Sequence, residues 1–204
     1  MRNLRIALWA LVAIAAVTVG WLTVERLGTA EKRARAVASL TSFGGPFEAV
    51  MASAGDPTPR PVTWDDWKGR PHAVFFGFTH CPEICPTTLY EAGQWLEALG
   101  PDGDDIDVYF VTVDPARDTP AYMADYLRAF DPRIKAVTGT QEQIAELVKA
   151  WRVTAEKVPL GDGEYNMNHT TTVFLMGADG ELKSAINYND RTEDAVAKLR
   201  RLLS

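Results

Sequence analysis

Two apolar runs limit most severely what this chain can fold into. Residues 73–78 (AVFFGF) and 106–113 (IDVYFVTV) read as short strands of a sheet interior. Between them, residues 87–99 carry Leu89, Leu96 and Leu99 at helical spacing. Strand, helix and strand in that order imply a right-handed parallel crossover. Residues 119–130 then read as a helix, with Thr119 as N-cap and Pro120 at the first position. Val137-Thr138 is a brief strand, and residues 140–151 form a helix opened by the capping-box pattern Thr140-Gln141-Glu142-Gln143. Residues 171–176 and 181–186 flank a hairpin turn at Gly177-Ala178-Asp179-Gly180. A last helix, 192–203, puts Val196, Leu199 and Leu203 on one face. Residues 52–61 (ASAGDPTPRP), with three prolines, read as a surface loop between two short strands.

The expected class is therefore α/β, and the element order is that of a thioredoxin-like domain. Its start is placed at Gly44-Gly45-Pro46-Phe47, so that 44–204 is the domain and 25–43 a polar, partly helical stalk. Ahead of the stalk, residues 6–24 (IALWALVAIAAVTVGWLTV) are an uncharged run of 19 residues. At about 1.5 Å per residue such a helix crosses a hydrocarbon core of about 30 Å. Trp9 and Trp21 fall near the two interfaces. A cleaved signal sequence has a shorter apolar stretch with a small-residue site close behind it, so residues 1–24 are read as an uncleaved membrane anchor. Arg2 and Arg5 favour a cytoplasmic N-terminus, while Arg26, Lys32, Arg33 and Arg35 pull the other way, which leaves orientation open on charge alone. A net charge of −6 argues against nucleic acid as the partner.

Chemistry concentrates in Phe76-Gly77-Phe78-Thr79-His80-Cys81-Pro82-Glu83-Ile84-Cys85-Pro86, which joins the first strand to a helix N-terminus. The first helical turn tolerates Pro82 and Pro86, and its dipole favours a thiolate. A bridge between Cys81 and Cys85 would close too small a loop to stabilise much, so the pair reads as chemical rather than structural. Two such thiols are either a redox couple or half of a metal site. The usual redox spacing has two intervening residues, and here there are three. Soft thiolates suit Cu(I), zinc or iron–sulfur, and two are too few for a structural zinc site. Of the three histidines, His72 reads as a surface residue and His80 as pointing away from Cys81. His169 precedes the strand at 171–176, where this fold brings a loop near the cysteines, and it is the candidate third ligand. Met167 offers a soft thioether but reads as a packing residue. Asp114 and Asp118 leave the second strand at the same sheet edge. They are accessory candidates, alongside the plainer reading of Asp114 as part of a turn and Asp118 as a helix-terminus carboxylate.

Taken together, these segments resemble the Sco/SenC family of copper chaperones. The residues that carry the resemblance are Gly44-Gly45-Pro46-Phe47, the Phe76-to-Pro86 stretch, Val113-Asp114-Pro115-Ala116-Arg117-Asp118-Thr119-Pro120, Thr138-Gly139-Thr140 and His169-Thr170. The resemblance spans about residues 44–190. It implies a thioredoxin-like fold, one membrane helix, an exported domain, and copper held by Cys81, Cys85 and His169. It further implies a metallochaperone rather than an enzyme, which metallates the binuclear copper centre of cytochrome c oxidase subunit II and exchanges copper with other carriers. With no long Arg- and Ser-rich transit segment ahead of the anchor, the expected location is a bacterial inner membrane with the domain in the periplasm. The chain departs from the family pattern at Asn168, where aspartate is common, and in the 52–61 loop. Two other functions fit the same residues. One is thiol–disulfide exchange on oxidase cysteines through a redox-active Cys81–Cys85 disulfide; the other is a copper or redox sensor.

Overall fold

The structure is a computed structural model, described here over residues 43–204. The anchor and stalk expected at 1–24 and 25–43 lie, Phe43 apart, outside the described residues. Among those residues no helix is long and apolar enough to cross a membrane.

Among the described residues, nine strands and four α-helices appear in the order β1 (Glu48–Ser53), β2 (Asp56–Thr63), β3 (His72–Gly77), α1 (Ile84–Leu99), β4 (Asp107–Thr112), α2 (Pro120–Tyr126), β5 (Ile134–Thr138), α3 (Gln141–Ala150), β6 (Ala155–Gly161), β7 (Glu164–His169), β8 (Val173–Met176), β9 (Leu182–Ile186) and α4 (Thr192–Leu203). Seven strands form one sheet in the order β2-β1-β5-β4-β3-β8-β9, while β6 and β7 make a separate hairpin. The three inner strands β5, β4 and β3 run parallel, and β1 and β8 join them antiparallel. Every residue of β3 is buried, as expected for a strand covered on both faces. The parallel β3–β4 pair, with α1 between them in sequence, is the crossover that the two apolar runs imply.

Aromatic side chains fill much of the core. Trp67 and Trp151 are fully buried, and Trp151 packs on Phe76 and Phe174 at centroid separations of 5.6 and 5.8 Å. Phe43 packs on two of these three rings, 5.5 Å from Trp151 and 4.8 Å from Phe174. Truncating such a buried ring costs about 3–5 kcal/mol.

Three expectations need correction. The stretch at 52–61 is not a loop: the chain turns at Gly55 (φ +73°) into β2, the outermost strand. Trp64 N–H bonds Phe47 O, so even-numbered positions of β2 face β1, and Pro57, Pro59 and Pro61 occupy the outward-facing positions. Proline has no N–H to offer there, which blunts the open edge. His72 is not on the surface but buried at the start of β3, with rings of Trp67 and Tyr109 5.5 and 5.9 Å away. Its Nδ1 lies 3.0 Å from Arg70 O, and burial lowers its pKa. The helix expected over 119–130 ends at Tyr126 and tightens into a 3-10 turn over Leu127–Ala129. The capping box at Thr140 forms with both its hydrogen bonds.

Candidate metal centre

Both sulfurs come from the short connection between β3 and α1. Cys81 N–H bonds Phe78 O at 3.2 Å, turning the chain at the carboxyl end of β3. Helix α1 starts at Ile84, so Cys85 lies in its first turn, where N–H groups lack intrahelical acceptors. Glu83, the N-cap, makes no side-chain cap. The Cys81 sulfur accepts from Cys85 N–H instead, at 3.4 Å. Cys85 is fully buried, and Gly77 makes room for it: a Cβ there would stand 2.8 Å from Cys85 Sγ and 2.8 Å from Phe110 Cε2. The deeper sulfur therefore rests directly on the β3 backbone. The thiols are unbridged, and Cys81 is only half-buried.

The imidazole arrives from the far end of the hairpin. His169 is the last residue of β7, and its Nε2 lies 3.4 Å from Cys85 Sγ. Its Nδ1 lies 3.0 Å from Thr170 O. A carbonyl oxygen only accepts, so Nδ1 carries the proton and Nε2 presents its lone pair to the sulfurs. Phe78 and Phe75 meet the ring edge-on at 5.5 and 6.3 Å. The two sulfurs and one ring nitrogen all lie within 4.8 Å of one another, the one such group of His, Cys, Asp and Glu among the described residues. An open cleft of about 240 Å³ lies over them, lined by Cys81, Glu83, Met167, Asn168 and His169.

The two thiols differ in charge. Hydrogen bonding from the Cys85 thiol, joined by the N–H groups of Cys85 and Glu83, holds the Cys81 thiol well below the usual range despite partial burial. That same bond to the Cys81 thiolate, followed by burial, pushes the Cys85 thiol far up. At neutral pH the pair is one half-buried thiolate beside one buried thiol, consistent with a helix N-terminus under the sulfurs.

Neither accessory aspartate reaches the sulfurs; both hold the pieces in place. Asp118 is fully buried and accepts from Thr79 N–H at 3.1 Å, Thr112 Oγ1 at 2.6 Å and the Thr79 hydroxyl. Its carbonyl accepts from Thr138 Oγ1 at 2.8 Å. Asp118 thus ties the Cys81 loop to the ends of β4 and β5. Burial raises its pKa, against the hydrogen bonds from Thr112 and Thr79. Asp114 accepts from Tyr165 OH at 2.9 Å and from Arg117 Nε. Arg117 also donates to Tyr165 O at 3.1 Å and lies 3.8 Å over the Tyr165 ring. Tyr165 is on β7, so this cluster fastens the hairpin that carries His169. Thr170 N–H to Thr154 O, 3.2 Å, and Thr154 N–H to Thr170 Oγ1, 3.0 Å, close its base. His80 stacks on Tyr122 at 5.4 Å, 4.0 Å from Asp118, and stays outside the sulfur group.

Sequence reading missed the β6–β7 hairpin and the roles of Arg117 and Tyr165. A signal for the hairpin was present. Asp162-Gly163 is a favoured two-residue hairpin pair, and both residues have positive φ, +50° and +84°. A cation–π stack between Arg117 and Tyr165 across 48 residues has no sequence signature.

The donor set suits a soft monovalent ion: one thiolate ready-formed, a second sulfur behind it and one oriented imidazole. It falls one ligand short of a closed zinc site. Comparison with known proteins agrees in fold and in family. A SCO1/SenC family profile matches residues 36–204. The human mitochondrial SCO1 homologue is 31% identical over 160 residues, covering 77% of this chain and 52% of that protein. Mitochondrial SCO1 of Saccharomyces cerevisiae is 34% identical over 157 residues, covering 74% and 51%. The chain spans about half the length of these relatives. Among solved structures, copper-bound ScoI of Bradyrhizobium japonicum is 42% identical with a TM-score of 0.72, covering 79% of this chain and 99% of that one. Copper-bound yeast Sco1 is 31% identical with a TM-score of 0.71, covering 78% and 87%. On the extent of the profile match and on these identities, this chain belongs to the SCO1/SenC family.

Proposed function

We propose that this chain is a copper-binding Sco protein that serves cytochrome oxidase assembly, carrying Cu(I) on Cys81, Cys85 and His169 and delivering it to the binuclear centre of oxidase subunit II. The observation that carries this reading is the convergence of two sulfurs and an imidazole nitrogen within 4.8 Å, at a cleft open to solvent. The half-buried Cys81 thiolate meets the ion first. Cys85 yields its proton as the ion enters, and His169 supplies the remaining lone pair. Membrane attachment through residues 6–24, with the domain in a bacterial periplasm, would place the cleft opposite oxidase domains on the same side. Other copper carriers would load it there.

Titrating the reduced protein with Cu(I) against a competing chelator tests the proposal. One tight equivalent is expected, weakened at least about tenfold in His169→Ala, the effect of losing one ligand contact. Unchanged binding in that variant would refute the three-ligand site. The separation of the two thiols also favours thiol–disulfide exchange as a second activity, since a thiolate held low attacks disulfides at neutral pH. That activity should persist in His169→Ala and vanish in Cys81→Ser.

A further inference from the structure

Among the described residues, one side chain lines both open cavities of this region. Met167 borders the cleft over the sulfurs, together with Cys81 and His169. It also borders a neighbouring groove of about 500 Å³ between the hairpin and α3, with Ile144, Ala155 and Tyr165. Met167 and His169 are two residues apart on β7, so their side chains leave the same face of the strand. The face is set by pairing, Lys157 opposite Met167 and Ala155 opposite His169. Met167, like Cys81, packs against the buried core while itself only half-buried.

We infer that the Met167 thioether is a transit ligand for Cu(I), which binds the ion while it enters or leaves the Cys81, Cys85 and His169 site. The inference rests on the copper-carrier reading above. A thioether is soft, carries no proton to displace, and sits on an unbranched side chain with three rotatable bonds. Those properties suit weak, brief coordination. Release from two sulfurs and an imidazole at once is slow unless a further ligand attaches before one lets go. The step is ligand exchange without change of oxidation state. A thioether–copper bond forms as the His169–copper bond opens, and His169 Nε2 regains its free lone pair; ligands of the acceptor then displace the thioether and, in turn, the two cysteine sulfurs, Cys85 taking back the proton it gave up on loading. A ligand used only during exchange speeds loading and unloading alike.

The test follows Cu(I) moving from the full-length reduced protein to a soluble bidentate Cu(I) chelator, and back, by stopped flow. Met167→Leu keeps volume and apolarity. Both rates are expected to fall by similar factors, about tenfold, or about 1.4 kcal/mol of barrier. In a second measurement, copper K-edge X-ray absorption is recorded on Cu(I)-loaded His169→Ala. Three sulfurs are expected around copper there, and two in His169→Ala combined with Met167→Leu. Unchanged rates in Met167→Leu, or two sulfurs in His169→Ala, would overturn the inference while leaving the copper site intact. A wild-type protein that takes up no Cu(I) would instead remove the copper-carrier reading itself.

Discussion

Replacing Gly77 by alanine is the sharpest probe of how the fold seats its deeper sulfur. The added methyl carbon would stand 2.8 Å from both Cys85 Sγ and Phe110 Cε2, where contacts below 3.0 Å essentially never occur. To restore ordinary contact near 3.4 Å, each neighbour must retreat by about 0.6 Å. Phe110 has little room to do so. It is fully buried in β4 and stacks on Phe75 at 5.9 Å. The movement therefore falls mainly on Cys85 and the first turn of α1. Overpacking of this kind costs about 1–3 kcal/mol. A sulfur displaced by several tenths of an ångström should lose about 10- to 100-fold in metal affinity, as when a supporting contact around a metal site is removed. Urea unfolding of the metal-free protein measures the first quantity, and Cu(I) competition against a chelator measures the second. Gly77→Ala should lower both. A variant that is destabilised yet binds Cu(I) with full affinity would refute the idea that the β3 backbone fixes the Cys85 sulfur.

Other perturbations give equally definite expectations. Tyr165→Phe removes the hydroxyl that Asp114 accepts at 2.9 Å while keeping the ring under Arg117. It should cost about 1 kcal/mol and speed amide exchange in β7, and unchanged exchange there would show that the cluster does not hold the hairpin. Because Cys81 is already a thiolate at neutral pH and Cys85 is not, loading one Cu(I) near pH 7 should release about one proton. Release of two, measured by calorimetry in buffers of different ionisation enthalpy, would contradict the charge assignment. Burial lowers the pKa of His72, so the unfolded chain takes up a proton below about pH 6.5 that the folded protein resists. The stability contribution of His72 is thus complete above that pH and declines as the pH falls through it, at up to about 1.4 kcal/mol per unit. The stability difference between wild type and His72→Phe, measured from pH 7.5 to 5, should shrink accordingly; a pH-independent difference would refute this.

Much of the sheet was legible because its inner strands are buried on both faces, and an unbroken apolar run such as that of β3 has few other destinations. The position of Cys81 and Cys85 followed from the same fact, since a strand leading into a proline-bearing first turn places both at one sheet edge. The 52–61 stretch misled because three prolines usually signal a loop. Only pairing on a single side, in an outermost strand, makes Pro57, Pro59 and Pro61 compatible with β structure. His72 misled for a similar reason: nothing local reveals that Trp67 and Tyr109 enclose it. Asp118 could be placed at the right edge but not given its role, because its partners Thr79, Thr112 and Thr138 come from three different strand ends.

Copper K-edge X-ray absorption on the Cu(I)-loaded wild-type protein addresses the shared site most directly. Two sulfurs and one imidazole nitrogen are expected around a single copper, in line with the proximity of Cys81, Cys85 and His169. A copper held by two sulfurs with no imidazole scattering would contradict it, leaving His169 as a neighbour of the dithiol rather than a ligand.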